Sequence, residues 1–380
     1  MSSRGAAQVV AMSDRTQVVQ RLALQNVAAL EAVAGAWSHA PPAPPPPASD
    51  KAAKALRQIC SADQTQQPGM AESAISALCA PDASAARVLS TVVANATVAI
   101  EAIDADQELD PAACGLLPWG HMRLNALAVL LLMASGEQRC RDLLALVCKP
   151  CVRVLASDAS RTDFEGVRLA ATLVRNLAMP APNRPTLGEA DAVGALCRHV
   201  GHRDPNTAVV VAVALRLLVE ATPANAARQI GNSTTEQGPF APILAVDLTK
   251  LHPHARAELA RFVCLTVSGA WSGSRGLGAF DASQLQQLTS APALEFGAFL
   301  LASRHPMLHR EACAALRAAR AIWQQCAGGG AGGGSGSDDD DADGSSLIKG
   351  LLVTERPLPD VLQDLLNNGS LTREEVDGLI

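Results

Sequence analysis

The stretches Met122-Arg-Leu-Asn-Ala-Leu-Ala-Val129 and Val167-Arg-Leu-Ala-Ala-Thr-Leu-Val174 match each other at a spacing of 45 residues. An Arg, a Leu, an Ala and a Val recur at the same places in both. Self-similarity at a period of about 40–50 residues is the signature of stacked helical repeats. These two stretches therefore predict an all-helical chain built from a repeating unit.

Recurring helix-start signals support the repeat. The dipeptides Asp204-Pro205, His252-Pro253 and His305-Pro306 each precede a long apolar pattern, and Asp163 precedes another. Proline suits the first turn of a helix because its missing N–H would have no partner there, and Asp caps helix N-termini. The predicted long helices are Phe164–Ala178, Asn206–Ala221, His254–Ser268 and Met307–Gln325, with shorter helical pieces at Ala190–Val200 and Ala224–Ile230.

One long helix with one or two shorter ones per unit is the pattern of armadillo/HEAT-type repeats. Such a unit cannot bury its apolar face alone, so neighbouring units stack into a superhelix with a concave groove. The fold class predicted here is therefore an all-α, armadillo/HEAT-type helical-repeat solenoid. The alternative is a non-repeating bundle, because Ala- and Leu-rich sequences align with themselves easily.

Composition divides the chain into four regions. Residues 1–50 hold an amphipathic segment, with apolar residues from Val18 to Val33, and a Pro-rich break at Pro41–Pro47. Residues 51–326 form the predicted solenoid, and residues 327–344 a Gly/Ser/Asp linker. Residues 345–380 regain apolar periodicity as an acidic, short helical tail, in which Val361, Leu362, Leu365 and Leu366 share one side of a helix.

Charge and cysteine usage narrow the function classes. The formal net charge is -6, and from Asp338 onward eleven acidic and three basic residues give -8, so the rest of the chain carries about +2. A nearly neutral body lacks the basic footprint of a nucleic-acid-binding protein. Ten scattered cysteines and a start without an apolar leader predict reduced thiols and a cytoplasmic protein. The apolar run Leu124–Ala134 is too short for stable membrane insertion.

Five polar residues are candidate partner-binding positions. On the helix Phe164–Ala178, four polar residues project from the side opposite the apolar stripe: Arg168, Thr172, Arg175 and Asn176. Arg216 holds a similar place on the next long helix and can pair with Glu220 at i+4. For Asn176 the alternative is a structural role, bonding backbone between repeats, and for Arg216 it is a solvated surface pair.

Two other motifs contain cysteine or histidine, but we predict neither a metal site nor a cofactor from them. Cys148-Lys-Pro-Cys151 has ligand spacing but no second pair of ligands nearby, and Cys197-Arg-His199-Val-Gly-His202 is a looser cluster. No nucleophile elbow, dinucleotide fingerprint or phosphate loop is present in the sequence. These patterns favour a binding protein over an enzyme.

Several variants of the repeat resemble one family, the smg GDP-dissociation stimulators. Leu173-Val-Arg-Asn-Leu-Ala-Met-Pro180, followed by Asn183, is similar to one of its repeats. Leu215-Arg-Leu-Leu-Val219 and Ala224-Asn-Ala-Ala-Arg-Gln-Ile-Gly231 resemble its next repeat. His305-Pro-Met-Leu-His-Arg-Glu-Ala-Cys-Ala-Ala-Leu316 resembles a late one. The likeness covers residues 120–325, while residues 1–110 match poorly.

The resemblance implies a guanine-nucleotide exchange factor and chaperone for prenylated Ras/Rho-type small GTPases, gripped by the concave groove. Such a protein would use no catalytic side-chain chemistry, since exchange follows from preferential binding of the nucleotide-free GTPase. A generic armadillo adaptor that assembles protein complexes is the alternative. The acidic run Asp338–Asp341 is either a solvated spacer or an attractor for the basic stretch of a GTPase.

Overall fold

The computed structural model describes residues 3–34, 44–62, 69–80, 84–105, 116–158, 163–222, 224–225, 241–273, 289–328, 352–353, 356–377 and 379. This part of the chain is an all-α fold of the armadillo/HEAT helical-repeat type, as the sequence predicts, apart from one two-residue β-pair. It divides into two compact units, Met1–Asn183 and Arg184–Ile380.

The first unit consists of seven helices and a terminal turn among its described residues. The helices are α1 (Ser3–Ala34), α2 (Pro47–Cys60), α3 (Met70–Leu78), α4 (Ser84–Ala105), α5 (Leu116–Met133), α6 (Glu137–Ala156) and α7 (Phe164–Ala178), followed by a 3₁₀ turn at Ala181–Asn183. Helix α5 packs between α2 and α7, and α4 packs against α6. The result is two layers of stacked helices, the arrangement that repeat units need to cover one another's apolar faces.

The second unit begins with the short helices α8 (Arg184–Glu189) and α9 (Ala192–Cys197), which pack on α10 (Pro205–Val219). Further along come α11 (Ala241–Leu244), a 3₁₀ turn at Leu248–Lys250, α12 (Pro253–Gly273), α13 (Ala291–Leu301) and α14 (Pro306–Gly328). The long helices α10, α12 and α14 lie side by side in that order, with α13 against α12 and α14. Strands β1 (Leu352–Val353) and β2 (Arg356–Pro357), α15 (Leu358–Asn367) and α16 (Arg373–Val376) complete the unit.

The predicted start signals lie where the long helices begin. Pro205, Pro253 and Pro306 are the first residues of α10, α12 and α14. The Asp163 carboxylate accepts the Gly166 N–H at 2.9 Å at the start of α7, and Asp204 caps α10 in the same way. These caps satisfy N–H groups that have no partner inside the helix.

The apolar side of α7 is the predicted one. Five residues of this side are fully buried: Val167, Ala170, Ala171, Val174 and Leu177. Complete burial of a Val or Leu side chain contributes about 1.5–3 kcal/mol. The stripe therefore holds α7 between α5 and α6 and leaves its polar side accessible.

A buried asparagine closes the turn after a long helix in each unit. The Asn183 amide donates to the Leu177 carbonyl at 2.9 Å and to the Cys140 carbonyl at 3.2 Å. The Asn225 amide likewise donates at 2.8 Å to the Leu218 and Arg184 carbonyls. Each side chain thus joins the end of its own long helix to a neighbouring element.

Gly188 makes room for the second of these asparagines. A Cβ at position 188 would overlap the Asn225 side-chain amide. A glycine is therefore required at this place in α8 for the close approach of Asn225.

Some local expectations differ from the structure. The apolar pattern of the first helix is only partly a core face: Val27 and Leu30 are buried, whereas Val18, Leu22 and Leu24 are exposed. The reason is that α2, α3 and α4 cover one side of this long helix. The predicted piece Ala190–Val200 is helical only over Ala192–Cys197, because Asp191, in the left-handed region at φ 61°, precedes the first residue of α9.

Other predictions concern residues outside the described ranges. Of the predicted helical piece Ala224–Ile230 the structure describes only the first two residues, and Asp338–Asp341 lies wholly outside. The Pro-rich break ends earlier than predicted, because Pro47 already begins α2. The proposed domain boundaries stay a prediction.

Two helices, Ser84–Ala105 and Leu116–Met133, are long and apolar enough to cross a membrane by length and composition. About half of each apolar window is buried inside the protein. Ala99, Ile100 and Ile103 of α4 pack with Trp119 of α5 in one core cluster. Helices at the centre of a soluble core have the same composition, so the two are weak evidence for a membrane.

The asparagine bridge leads to a stability prediction. Replacing Asn183 by Ala removes the donor from two carbonyls and should lower the free energy of unfolding by about 1–3 kcal/mol. Asn176→Ala is the matched control, because Asn176 is only partly buried and should change stability by about 0.5 kcal/mol or less. Urea unfolding followed by circular dichroism measures both. Equal effects of the two substitutions would show that the Asn183 bridge is not needed.

Candidate functional site

The four polar residues predicted on α7 lie together on its accessible side. Arg168 donates to Glu165 at 2.7 and 2.9 Å, and the Thr172 hydroxyl donates to the Arg168 carbonyl at 2.6 Å. Arg175 donates to the Asn176 side-chain oxygen at 2.9 and 3.3 Å. We call this surface the α7 polar strip. That it binds a partner stays a prediction.

Two exposed apolar side chains mark the ends of the α7 polar strip. Phe164 is 48% exposed at the start of the helix, and Met179 is 61% exposed just after its end. Apolar residues beside polar, hydrogen-bonding groups are the usual composition of a protein-binding surface. The structural role considered for Asn176 belongs instead to Asn183, whose amide is buried and joins two segments of backbone.

The fifth predicted residue, Arg216, lies in a chain of ion pairs. It makes the predicted i+4 pair with Glu220 at 2.9 Å and also pairs with Glu258 on the next long helix. Arg184 donates to the Glu220 backbone carbonyl at 2.7 Å and approaches its carboxylate at 3.7 Å. The Arg216 side chain is therefore a link between α10 and α12, and its role in partner binding stays a prediction.

The chain of ion pairs continues to the last long helix. Arg261 lies 3.5 Å from the Glu258 carboxylate and makes a two-pronged contact with Glu311 at 2.7 and 2.8 Å. These hydrogen bonds from Arg261 to Glu311, and the nearby charges of Glu258 and Glu220, raise the pKa of Arg261 above its usual value. We call the alternating series of three arginines and three glutamates the ion-pair ladder: Arg184, Glu220, Arg216, Glu258, Arg261 and Glu311.

The ion-pair ladder fixes the spacing of the long helices. The side chains of Arg216, Glu258 and Arg261 are 11–15% exposed, so their charges are largely removed from water. Removing one partner from such a network leaves a poorly solvated charge behind, which is more costly than breaking an exposed pair. The ladder thus makes any displacement of α10, α12 or α14 relative to its neighbour unfavourable.

A groove is lined by residues that follow the ladder residues along α12 and α14 and that flank Glu220 at the end of α10. Its volume is about 600 Å³, and Val219 of α10 and Leu265 of α12 form part of its wall. Most of the remaining lining residues are small: Ala221, Ser268, Gly269, Ala314, Ala318 and Ala321. We call this depression the α10–α12–α14 groove. Small side chains on stacked helices leave room for the side chains of a bound segment.

Two larger side chains give the α10–α12–α14 groove its chemical character. Trp271 is 38% exposed, and Arg317 is the charged residue of the lining. Trp and Arg are the residue types that contribute most often to binding energy at protein interfaces. The groove therefore offers an apolar floor, an aromatic ring and a cation, a combination suited to a peptide segment with an apolar residue next to an acidic one.

Sequence reasoning missed the groove and most of the ladder. The pairs within one helix were readable, since Arg216/Glu220 and Glu258/Arg261 lie at i+4 and i+3. The links from Arg216 to Glu258 and from Arg261 to Glu311 join different helices, whose relative rotation the sequence does not state. The small residues of the groove gave no signal, because alanine is common throughout the chain.

The three cysteines of the two motifs are buried in helices. Cys148 and Cys151 lie inside α6, and burial raises the pKa of the Cys148 thiol to about 11 and that of Cys151 further. Burial also raises the pKa of the Cys197 thiol. These thiols stay protonated at neutral pH, which suits packing rather than nucleophilic or metal chemistry. Within the described ranges, no group of three or more His, Cys, Asp and Glu residues could hold a metal ion.

Comparison with known proteins gives structural neighbours only. No protein-family model matches the chain, and no curated protein matches it. A designed armadillo repeat protein, YIII(Dq)4CqI, aligns with a TM-score of 0.46 and 18% identity over 78% of this chain and 98% of its own. An engineered protein from the Northeast Structural Genomics Consortium aligns with a TM-score of 0.47 and 18% identity, over 77% and 97%. At this identity and these TM-scores, neither likeness says what this chain does.

The ion-pair ladder predicts a structural role for Arg216, which a substitution can test. Arg216→Ala should lower the free energy of unfolding by about 1–3 kcal/mol, because Glu258 loses a partner in a poorly solvated place. The control is Arg141→Ala, which breaks an exposed i+4 pair with Glu137 and should cost less than about 1 kcal/mol. Denaturant unfolding compares the two variants. A loss no greater than that of the control would mean that Arg216 does not hold α10 to α12.

Proposed function

We propose that this chain is an armadillo-type adaptor that binds a protein partner with the accessible faces of its long helices. The observation that carries the proposal is the α10–α12–α14 groove, whose walls are held by the ion-pair ladder. A preformed groove supports binding because little ordering entropy is lost when the partner docks. The cytoplasm is the proposed location, since the eight cysteines within the described ranges are free thiols.

Filling the groove tests this proposal. Ala314→Arg places a long charged side chain in the groove on a helix that tolerates Arg well, so folding should be preserved. Gln324→Arg on the same helix is the matched control, because Gln324 is exposed and does not line the groove. Affinity capture with the full chain, quantified by mass spectrometry, should recover a set of proteins with wild type and control.

Ala314→Arg should lose members of this set by at least about tenfold, which corresponds to about 1.4 kcal/mol of binding free energy. Circular dichroism establishes that the variant is folded. If Ala314→Arg retains every protein that the control retains, the groove is not the partner-binding surface.

A second candidate is exchange and chaperone activity toward Ras/Rho-type small GTPases, including prenylated ones. It is favoured by the resemblance of Leu173–Pro180 and His305–Leu316 to the smg GDP-dissociation stimulators. Two asparagines of the resembling stretches, Asn183 and Asn225, bridge backbone carbonyls in the structure. Any armadillo-type repeat can use an asparagine in this way, so these two residues favour the general adaptor over the specific exchange factor.

The GTPase candidate has its own measurement. Release of a fluorescent GDP from prenylated and unprenylated small GTPases should accelerate when the chain is added, by preferential binding of the nucleotide-free form. Replacing Arg175 and Asn176 together by Ala should weaken this effect while the melting temperature stays nearly unchanged, because both are only partly buried. An unchanged rate of GDP release with every GTPase tested, whether prenylated or not, would exclude the exchange factor. The adaptor would then be the one candidate function of the two that remains.

A further inference from the structure

The last described elements fold back onto the end of the helical body. We call β1, β2, α15 and α16 the C-terminal module. Strand β1 packs against α13, and α16 packs against α14. Leu358 and Leu362 of α15 and Val376 of α16 are buried. The acidic tail therefore contains a folded element that rests on α13 and α14.

Two arginines of α14 hold the acidic end of the C-terminal module. The Arg310 Nε lies 2.9 Å from a Glu375 carboxylate oxygen, and the Arg317 Nη1 donates to the Glu374 backbone carbonyl at 2.9 Å. Arg317 also lines the α10–α12–α14 groove. The same guanidinium thus belongs to the proposed partner site and to the docking site of the module.

Hydrogen bonds and nearby charges fix the position of the Glu375 carboxylate and favour its ionised form. Its other carboxylate oxygen accepts the Thr372 N–H at 2.7 Å and the Thr372 hydroxyl at 3.0 Å, which forms a capping box at the start of α16. The backbone hydrogen bond from Thr372 lowers the pKa of Glu375, and the charges of Arg310 and Arg317 lower it further. The module therefore presents a fixed carboxylate to two cations at the edge of the groove.

The polar attachment is weak in itself. The Arg310 side chain is 60% exposed, and exposed ion pairs of this kind change an equilibrium by only about two- to fivefold. Residues 329–351 connect the module to α14 within one chain, and such a covalent connection gives an effective concentration on the order of millimolar. Because the effective concentration is high, the module stays docked in the free protein although its polar contact is weak. A competitor of moderate affinity can still displace it.

We infer that the C-terminal module is a displaceable internal ligand, which competes with an acidic segment of the partner for Arg310 and Arg317, the second of which lines the α10–α12–α14 groove. The inference rests on the proposed partner-binding role of that groove. It specifies that the partner segment carries a carboxylate. In the free protein, the C-terminal module occupies the same two arginines. The alternative is a permanent cap, which would cover the apolar face of the last repeat and never leave it.

The substitution Glu375→Gln separates these alternatives. Glutamine keeps the capping box, since its side-chain oxygen can accept the same Thr372 hydrogen bonds, and removes only the charge that faces Arg310 and Arg317. Asp360→Asn is the matched control, because it removes one charge from an exposed position of α15. All measurements use the full chain, with hydrogen exchange read by mass spectrometry over residues 358–377.

Amides of α15 and α16 should exchange about two- to fivefold faster in Glu375→Gln than in wild type or the control. In wild type the same amides should exchange faster as salt rises from about 0.05 to about 0.5 M, because exposed ion pairs are screened. A fluorescein-labelled hexaglutamate peptide serves as the acidic probe. It should bind more tightly to Glu375→Gln than to wild type, and this gain should disappear in the double variant Glu375→Gln, Arg317→Gln.

Exchange in Glu375→Gln that equals wild type would overturn the inference in favour of a permanent cap. Release of the module without a gain in hexaglutamate binding would overturn it as well, because the arginines would then not form an acidic-ligand site. Neither readout needs the natural partner. Failure here is therefore distinguishable from failure of the Ala314→Arg capture experiment, which tests the groove itself.

Discussion

The requirement that buried turns pair their backbone carbonyls governs this structure. A long helix ends with carbonyls that have no partner in the helix, and in a stacked repeat those ends are covered by the next unit. Asn183 and Asn225, 42 residues apart, meet the requirement by giving both amide hydrogens to carbonyls of two segments. Each bridge therefore joins the end of a long helix to a neighbouring element.

Stacking places charged residues of successive long helices next to one another. The Arg216–Glu258 and Arg261–Glu311 links then lock α10 to α12 and α12 to α14. These links make the surface rigid. Because the ladder has equal numbers of arginines and glutamates, it gives the surface no net charge. The proposed recognition surface is the adjacent groove, with its small floor residues, Trp271 and Arg317.

Features that depend on one helix at a time could be predicted from the sequence. The proline and aspartate signals gave the starts of the long helices, and the stripe from Val167 to Leu177 gave the buried side of α7. Features that depend on the rotation of one helix against another could not. The pairing of Arg216 with Glu258 and the docking of Glu375 on Arg310 both join segments whose relative placement only packing determines.

The ion-pair ladder and the groove together predict that α10, α12 and α14 form one rigid, preformed face. Native-state hydrogen exchange as a function of urea concentration tests this, because it gives the free energy and the exposed surface of each opening. The slowest amides of all three helices should open together, with the same free energy and the same urea dependence. If the amides of α10 and α12 open independently, at clearly different free energies, the ladder does not join the helices and they are not one rigid face.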